Sequence, residues 1–157
     1  MSDKQIILNT VAQIDDATSY EEILYALYLQ YEVSKGIRDM EENNVKTSDE
    51  ENGEVVKRIR EYKKMVIWAE TAINHITQFI DDAKSGTEQT AKKYIEKLID
   101  YVEILNEMPN IGKTFASKVY KYELRQLLYK KHRIIYYLNN DRVVILAVIH
   151  TRLDVKK

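Results

Sequence analysis

The chain of 157 residues contains no cysteine. That removes disulfides and thiolate metal sites, and makes a reducing compartment the simpler setting. Histidine is scarce: His75, His132 and His150 are far apart and show no metal-ligand spacing. Neither a structural metal nor a cofactor is expected. Proline occurs once, at Pro109, where it stops a long helical pattern. No apolar stretch approaches the roughly 18 residues that span a bilayer; the longest, residues 143–149, has strand length. The opening MSDKQIILNTVAQIDD lacks the basic start and small-residue cleavage site of a signal peptide. A cytoplasmic protein without membrane contact is expected.

Net charge is also nearly absent, at −1, but the two halves differ. Residues 1–64 carry fourteen acidic and nine basic side chains, and residues 65–157 carry eleven and fifteen. From Lys113 onward eleven basic residues face only three acidic ones. An acidic half followed by a basic half points to complementarity within the chain.

Hydrophobic spacing divides the chain in the same place. Ser19 and Glu22 form a capping box, after which Tyr20, Ile23, Leu24, Leu27, Tyr28 and Tyr31 recur at helical spacing. That stripe is broad for a lone helix. It needs a partner: a second copy, the rest of the chain, or both. Residues 41–53 are polar, acidic and end in glycine, as a linker would. A short helix is expected over 54–63, with Val55, Val56 and Ile59 on its apolar side. A strand should follow over 65–68, then a helix carrying Ala72, Ile73, Ile76, Phe79 and Ile80. Gly86 ends that helix, and the next bears Ala91, Tyr94, Ile95, Leu98, Ile99, Val102 and Leu105.

The remainder reads as strands over 122–129, 133–138 and 142–149, with Asn139-Asn140-Asp141 as a hairpin signal. The expected fold is α+β: a helical N-terminal arm, then a small antiparallel sheet in β-α-α-β-β-β order with a helical hairpin on one face. Residues 143–149 are apolar without alternation, so both sheet faces should be covered. The hairpin can cover one face, and the N-terminal segment is the natural cover for the other. A sheet of this kind is expected to gather Arg125, Arg133 and Arg152 on one surface suited to an anion. His75 and His132 are expected to face solvent, and Tyr129, Tyr136 and Tyr137 to pack in the core or an interface.

Five stretches together carry a family pattern: VIWAETA, AKKYIEKLIDYVEIL, MPNIGK, YELRQLLYKKHRIIYYL and VVILAVIHTRLD. In this order they resemble the RelE/ParE superfamily of bacterial type II toxins. The preceding TSYEEILYALYLQYEVSKGIRDMEENNVKTSDEE looks like the small helical antitoxins paired with such toxins. The resemblance therefore implies an antitoxin–toxin fusion, with residues 1–62 as antitoxin and 63–157 as toxin. Tyr20, Ile23, Leu24, Leu27, Tyr28 and Tyr31 would then form the antitoxin–toxin interface, made within one chain or swapped across a homodimer.

Two activities follow from the resemblance for the toxin half. One is a ribosome-dependent mRNA endonuclease; the other is a protein that poisons DNA gyrase without chemistry of its own. An operator-binding regulator is a third reading. For the nuclease, the resemblance offers Arg133, Arg125, His150 and Arg152 as catalytic candidates, since an arginine fork donates two parallel bonds to a phosphate. Lys121, Lys130 and Lys131 would bind nucleic acid or target. Relatives often end in His-Gly-Arg-Arg-Asp, whereas this chain has His150-Thr151-Arg152-Leu153-Asp154. Leucine in place of the second arginine weakens the nuclease reading.

Overall fold

The structure, a computed structural model, describes residues 2–46, 66–116, 118–139 and 142–152. The expected linker beyond residue 46, the helix at 54–63, Asn140-Asp141 in the last turn, and Leu153 and Asp154 lie outside the described residues.

Polar caps begin both N-terminal helices. The Ser2 hydroxyl accepts from the Gln5 amide at 3.1 Å and starts α1 (Asp3–Ala12). Ser19 accepts from the Glu22 amide at 3.1 Å while Glu22 accepts from the Ser19 amide at 3.3 Å, the expected capping box, and α2 (Tyr20–Glu41) follows. A two-residue strand β1 (Val45–Lys46) ends the described arm. After it come β2 (Val66–Ala69), α3 (Glu70–Asp81) and α4 (Glu88–Val102). A 3₁₀ turn over Glu103–Asn106 extends α4. Strands β3 (Lys113–Phe115), β4 (Leu124–Tyr129), β5 (His132–Asn139) and β6 (Arg142–His150) complete the chain.

The strands form one sheet in the order β1-β2-β6-β5-β4-β3. β3 through β6 meander antiparallel, while β2 runs parallel to β6. The parallel pair is possible because α3 and α4 carry the chain away from β2 before the meander starts. β1 then adds the arm to the β2 edge, with Val45 opposite Ala69.

Both sheet faces are covered, as the unbroken apolar run of β6 requires. On one face α3 and α4 place Ala72, Ile76, Ile95, Leu98 and Ile99 against Ile134, Tyr136, Val143 and Ile145. On the other, Leu29, Val33 and Ile37 of α2 pack against Leu124, Ile135, Val144, Leu146 and Ile149. Each of these side chains contributes about 1.5–3 kcal/mol when fully removed from water, so the arm is part of the folding core. Between Ile135 and Tyr136 the register shifts, leaving Leu146 as an extra residue in β6. Gly36 of α2 lies directly over that bulge, close to the Leu146 carbonyl.

The face of α2 that packs is not the one the spacing suggested. Tyr20 is 76 % exposed and Tyr31 53 %, and Leu24 and Tyr28 are exposed too, while Ile23 and Leu27 are half-buried. The buried set is Leu29, Val33, Gly36 and Ile37, roughly opposite on the helix. The mismatch has a physical cause: α2 is apolar on two sides, and the shorter inner side is interrupted by Gln30, Glu32 and Ser34, which are buried polar residues.

Candidate functional site

Arg133 lies near the start of β5, and its side chain points to the α2 face. Its Nε donates to the Tyr25 hydroxyl at 3.1 Å, and its Nη1 to Gln126 Oε1 at 2.8 Å. The Tyr25 hydroxyl in turn donates to the His150 carbonyl at 2.8 Å. Tyr25, from α2, thus spans β5 and β6 where the expected cationic site begins. Its phenol is raised above its ordinary pKa by burial, against the lowering pull of the Arg133 bond and charge.

His150 stands opposite His132 across β5 and β6, with ring centroids 5.3 Å apart. The exposed His150 accepts the Arg152 amide on Nδ1 at 3.2 Å. His132, expected at the surface, is only 6 % exposed. It sits among Phe79, Tyr94 and His150, and its Nδ1 lies 2.8 Å from the Tyr94 hydroxyl. Burial, followed by the charges of His150 and His75, pushes its pKa down to about 4. At neutral pH the ring is uncharged and shares one hydrogen bond with the Tyr94 hydroxyl through Nδ1.

Arg125 is not part of this cluster. It is paired with Tyr136 across β4 and β5, on the face of the helical hairpin. Its Nη1 donates to the carbonyls of Gly112 at 2.9 Å and Asn110 at 3.3 Å. Tyr136 holds the same loop: its hydroxyl donates to Pro109 O at 2.7 Å and accepts the Gly112 amide at 3.0 Å. The expectation that one surface gathers Arg125, Arg133 and Arg152 therefore fails. Adjacent residues of a strand point to opposite faces, and the β4–β5 register puts Arg125 and Arg133 on different ones. Arg125→Ala is expected to lower stability by about 1–2 kcal/mol by freeing the 108–112 loop. Chemical denaturation of the full chain measures this, and an unchanged midpoint would refute the stapling role.

The lysines divide. Lys130 adopts a positive φ of 51° in the β4–β5 turn, with its ammonium 5.6 Å from the Tyr129 ring centre. The Lys131 carbonyl accepts the Thr151 amide at 2.8 Å. Both lie at the same end as His150 and exposed Arg152. Lys121 is elsewhere, 4.0 Å from the Glu41 carboxylate. Among the described residues no cluster of three or more His, Asp or Glu side chains could hold a metal ion, and no helix is long and apolar enough to cross a membrane.

The polar contacts between arm and sheet were not legible in the sequence. Glu32 Oε1 sits 2.7 Å from His75 Nε2, and His75 Nδ1 accepts the Val148 amide at 3.1 Å. The half-buried His75 is thus enclosed, where a surface position was expected. Burial pushes the Glu32 carboxyl up, but the His75 bond and charge, with Lys35 at 3.2 Å, leave it below its ordinary value. Asp39 accepts the Thr71 amide at 2.7 Å, and the Tyr120 hydroxyl donates to Gln30 Oε1 at 2.6 Å. Tyr122 donates to Glu41 at 2.6 Å, and burial together with that carboxylate pushes its phenol up to about 12. Each contact joins residues more than thirty positions apart, beyond any local pattern. Only the acidic bias of the arm pointed toward such pairing, and Glu41 beside Lys121 realises it.

No curated protein has a sequence that matches this chain. The family model of the ParE toxin of the type II toxin–antitoxin system parDE matches residues 66–155, which run from β2 through the helical hairpin and the meander to the segment after β6. That match takes in more than half of the chain, the half that holds Arg133, His150 and Arg152, and the chain belongs to the ParE toxin family of type II toxin–antitoxin systems.

Proposed function

We propose that the chain is a ParE-type toxin module carrying its own neutralising arm, with residues 1–62 as antitoxin and 63–157 as toxin. The observation that carries this reading is the placement of α2. It occupies the sheet face left free by the helical hairpin, buries Leu29, Val33 and Ile37 there, and takes up Arg133 through Tyr25. Neutralisation is then steric and electrostatic: the arm covers apolar surface and spends the hydrogen-bonding capacity of a cationic side chain. A tethered arm also acts at a high effective concentration, on the order of millimolar for a short linker. Release therefore calls for proteolysis of the arm or the link.

The geometry favours a protein target, such as DNA gyrase, over RNA cleavage. A nuclease needs a cation and an acid–base pair facing one open space. Here Arg125 staples a loop on the hairpin face, and His150, paired with His132, turns its ring to that same face, away from Arg133 on the other. Expression of residues 66–157 alone tests the reading. Growth arrest is expected, relieved by residues 1–62 supplied from a second plasmid, with plasmid topology altered and mRNA intact. Truncated mRNA would revive the nuclease. A folded 66–157 fragment that leaves growth untouched would defeat the toxin reading itself.

A further inference from the structure

The α1–α2 hairpin is apolar on both sides, and among the described residues only one side is covered. Its inner side covers the sheet. Its outer side presents Tyr20, Leu24, Tyr28 and Tyr31 of α2, with Ile7, Leu8 and Val11 of α1 also exposed. Of the eleven exposed large apolar side chains among the described residues, these seven belong to the arm. Scattered apolar residues are ordinary on a surface, but a stripe running most of the length of a helix marks an interaction site.

We infer that this outer face is the seat of a homodimer, in which α2 packs antiparallel against α2 of a second copy about a two-fold axis between Leu27 and Tyr28. The charges on the stripe specify the arrangement. Its N-terminal end carries Glu21 beside Tyr20, and its C-terminal end carries the part-exposed Lys35, whose ammonium lies 3.2 Å from Glu32 of its own helix and 4.8 Å from the centre of the Tyr31 ring. Helical spacing puts positions 20, 24, 28, 31 and 35 on one stripe. Antiparallel pairing about that axis sets Leu24 against Tyr31 of the other copy, and Tyr20 with Glu21 against its Lys35. Acidic end meets basic end twice, as an isologous contact requires, and the helix dipoles oppose favourably. A parallel pair would stack Glu21 on Glu21 and Lys35 on Lys35.

The size also suits a second copy. A 22-residue helix and a 10-residue helix side by side offer on the order of 500 Å² per copy in flat projection, so about 1,000 Å² for the pair, the threshold for a specific interface. Since α2 holds the sheet with its other face, dimerisation leaves every contact between arm and toxin domain in place.

Sedimentation equilibrium of the full chain, with the variant Leu24→Glu/Tyr28→Glu, tests this. A dimer is expected for the native chain, and the doubly charged stripe should weaken it by roughly a hundredfold or more. Both positions are exposed in the monomer, so circular dichroism and melting should be nearly unchanged. The cysteine-free sequence permits a test of direction. Under mild oxidation Tyr28→Cys, near the axis, should form a covalent dimer readily, and Tyr20→Cys, at the far end, should not. A native chain that stays monomeric at about 100 μM, an affinity too weak for a built interface, would overturn the inference and leave the stripe to another protein. So would a dimer indifferent to the charged stripe, failure of position 28 to cross-link, or equal cross-linking at both positions.

Discussion

Gly36→Val is expected to destabilise the full chain by about 3 kcal/mol or more, lowering its melting temperature by roughly 6–12 °C. Gly36 sits in the second turn from the end of α2, where helix propensity alone says the reverse. Glycine inside a helix is about 1 kcal/mol worse than alanine, so substitution there ordinarily stabilises. The structure inverts the sign. A Cβ at position 36 would overlap the Leu146 carbonyl oxygen and lie 2.8 Å from its carbon and 2.9 Å from the Leu146 Cβ. Two of those three atoms are backbone, in the centre of a six-stranded sheet, and cannot turn aside. The helix has to lift instead, drawing Val33 and Ile37 away from Leu146 and Ile149. Even Gly36→Ala should therefore lose stability, and a gain would show that α2 does not ride on the β6 bulge. In cells the valine variant carries a second consequence. If the arm neutralises the toxin, a full chain with a lifted α2 should slow growth where the native chain does not.

The same glycine shows what the sequence made legible and what it withheld. The two helices of the hairpin, the strands β4, β5 and β6 and the capping box at Ser19 follow from short-range patterns and are present, while the short β3 had no such signal. The unalternating run at 143–149 carried a longer inference, that a second layer must cover the sheet, and α2 is that layer. The face α2 uses was harder to read. Helical periodicity finds apolar stripes but does not rank two on one helix, and the stronger stripe by count, Tyr20 to Tyr31, is the outer one. The inner stripe is recognised only through Gly36, whose missing side chain has meaning once Leu146 is opposite.

The site was legible in part for a related reason. The backbones of Arg133, His150 and Arg152 are close because β5 and β6 form a local hairpin, but the register that pairs His150 with His132 turns its ring to the face of the helical hairpin, away from Arg133. Arg125 was misplaced by register, which decides the face of every strand residue and which a turn shifted by one position reverses. Likewise β2 joins β6 in parallel, through a long crossover that no local signal announces. The contacts of Tyr25, Glu32 and His75 are chemistry between distant segments, and they define how the arm is held.

Stability is expected to fall by up to about 3 kcal/mol as the pH drops from 6.5 to 4, chiefly through His132. The imidazole has an ordinary pKa of 6.5, which the folded chain lowers to about 4. The unfolded chain thus takes up a proton in a range where the native ring refuses one. The contribution is complete above 6.5 and is lost progressively as the pH falls toward 4. Glu32 acts in a separate range, because its carboxyl is held below an ordinary value of 4.5 and its contribution fades only at lower pH. His132→Phe isolates the effect. The ring remains between Phe79 and His150, and Tyr94 keeps only its longer contact of 3.4 Å to the Tyr129 carbonyl. At pH 7.5 this variant should lose about 1 kcal/mol for the missing hydrogen bond. Below pH 6.5 its melting temperature should fall less steeply than that of the native chain, so that the two curves converge on acidification. A His132 ring proton titrating near 6.5 by NMR, or parallel melting curves, would show that the ring is open to water. The consequence reaches the candidate site directly. His132 faces His150 across β5 and β6, so a proton forced onto the buried ring places a charge 5.3 Å from the His150 ring, beside Arg133 in the chain.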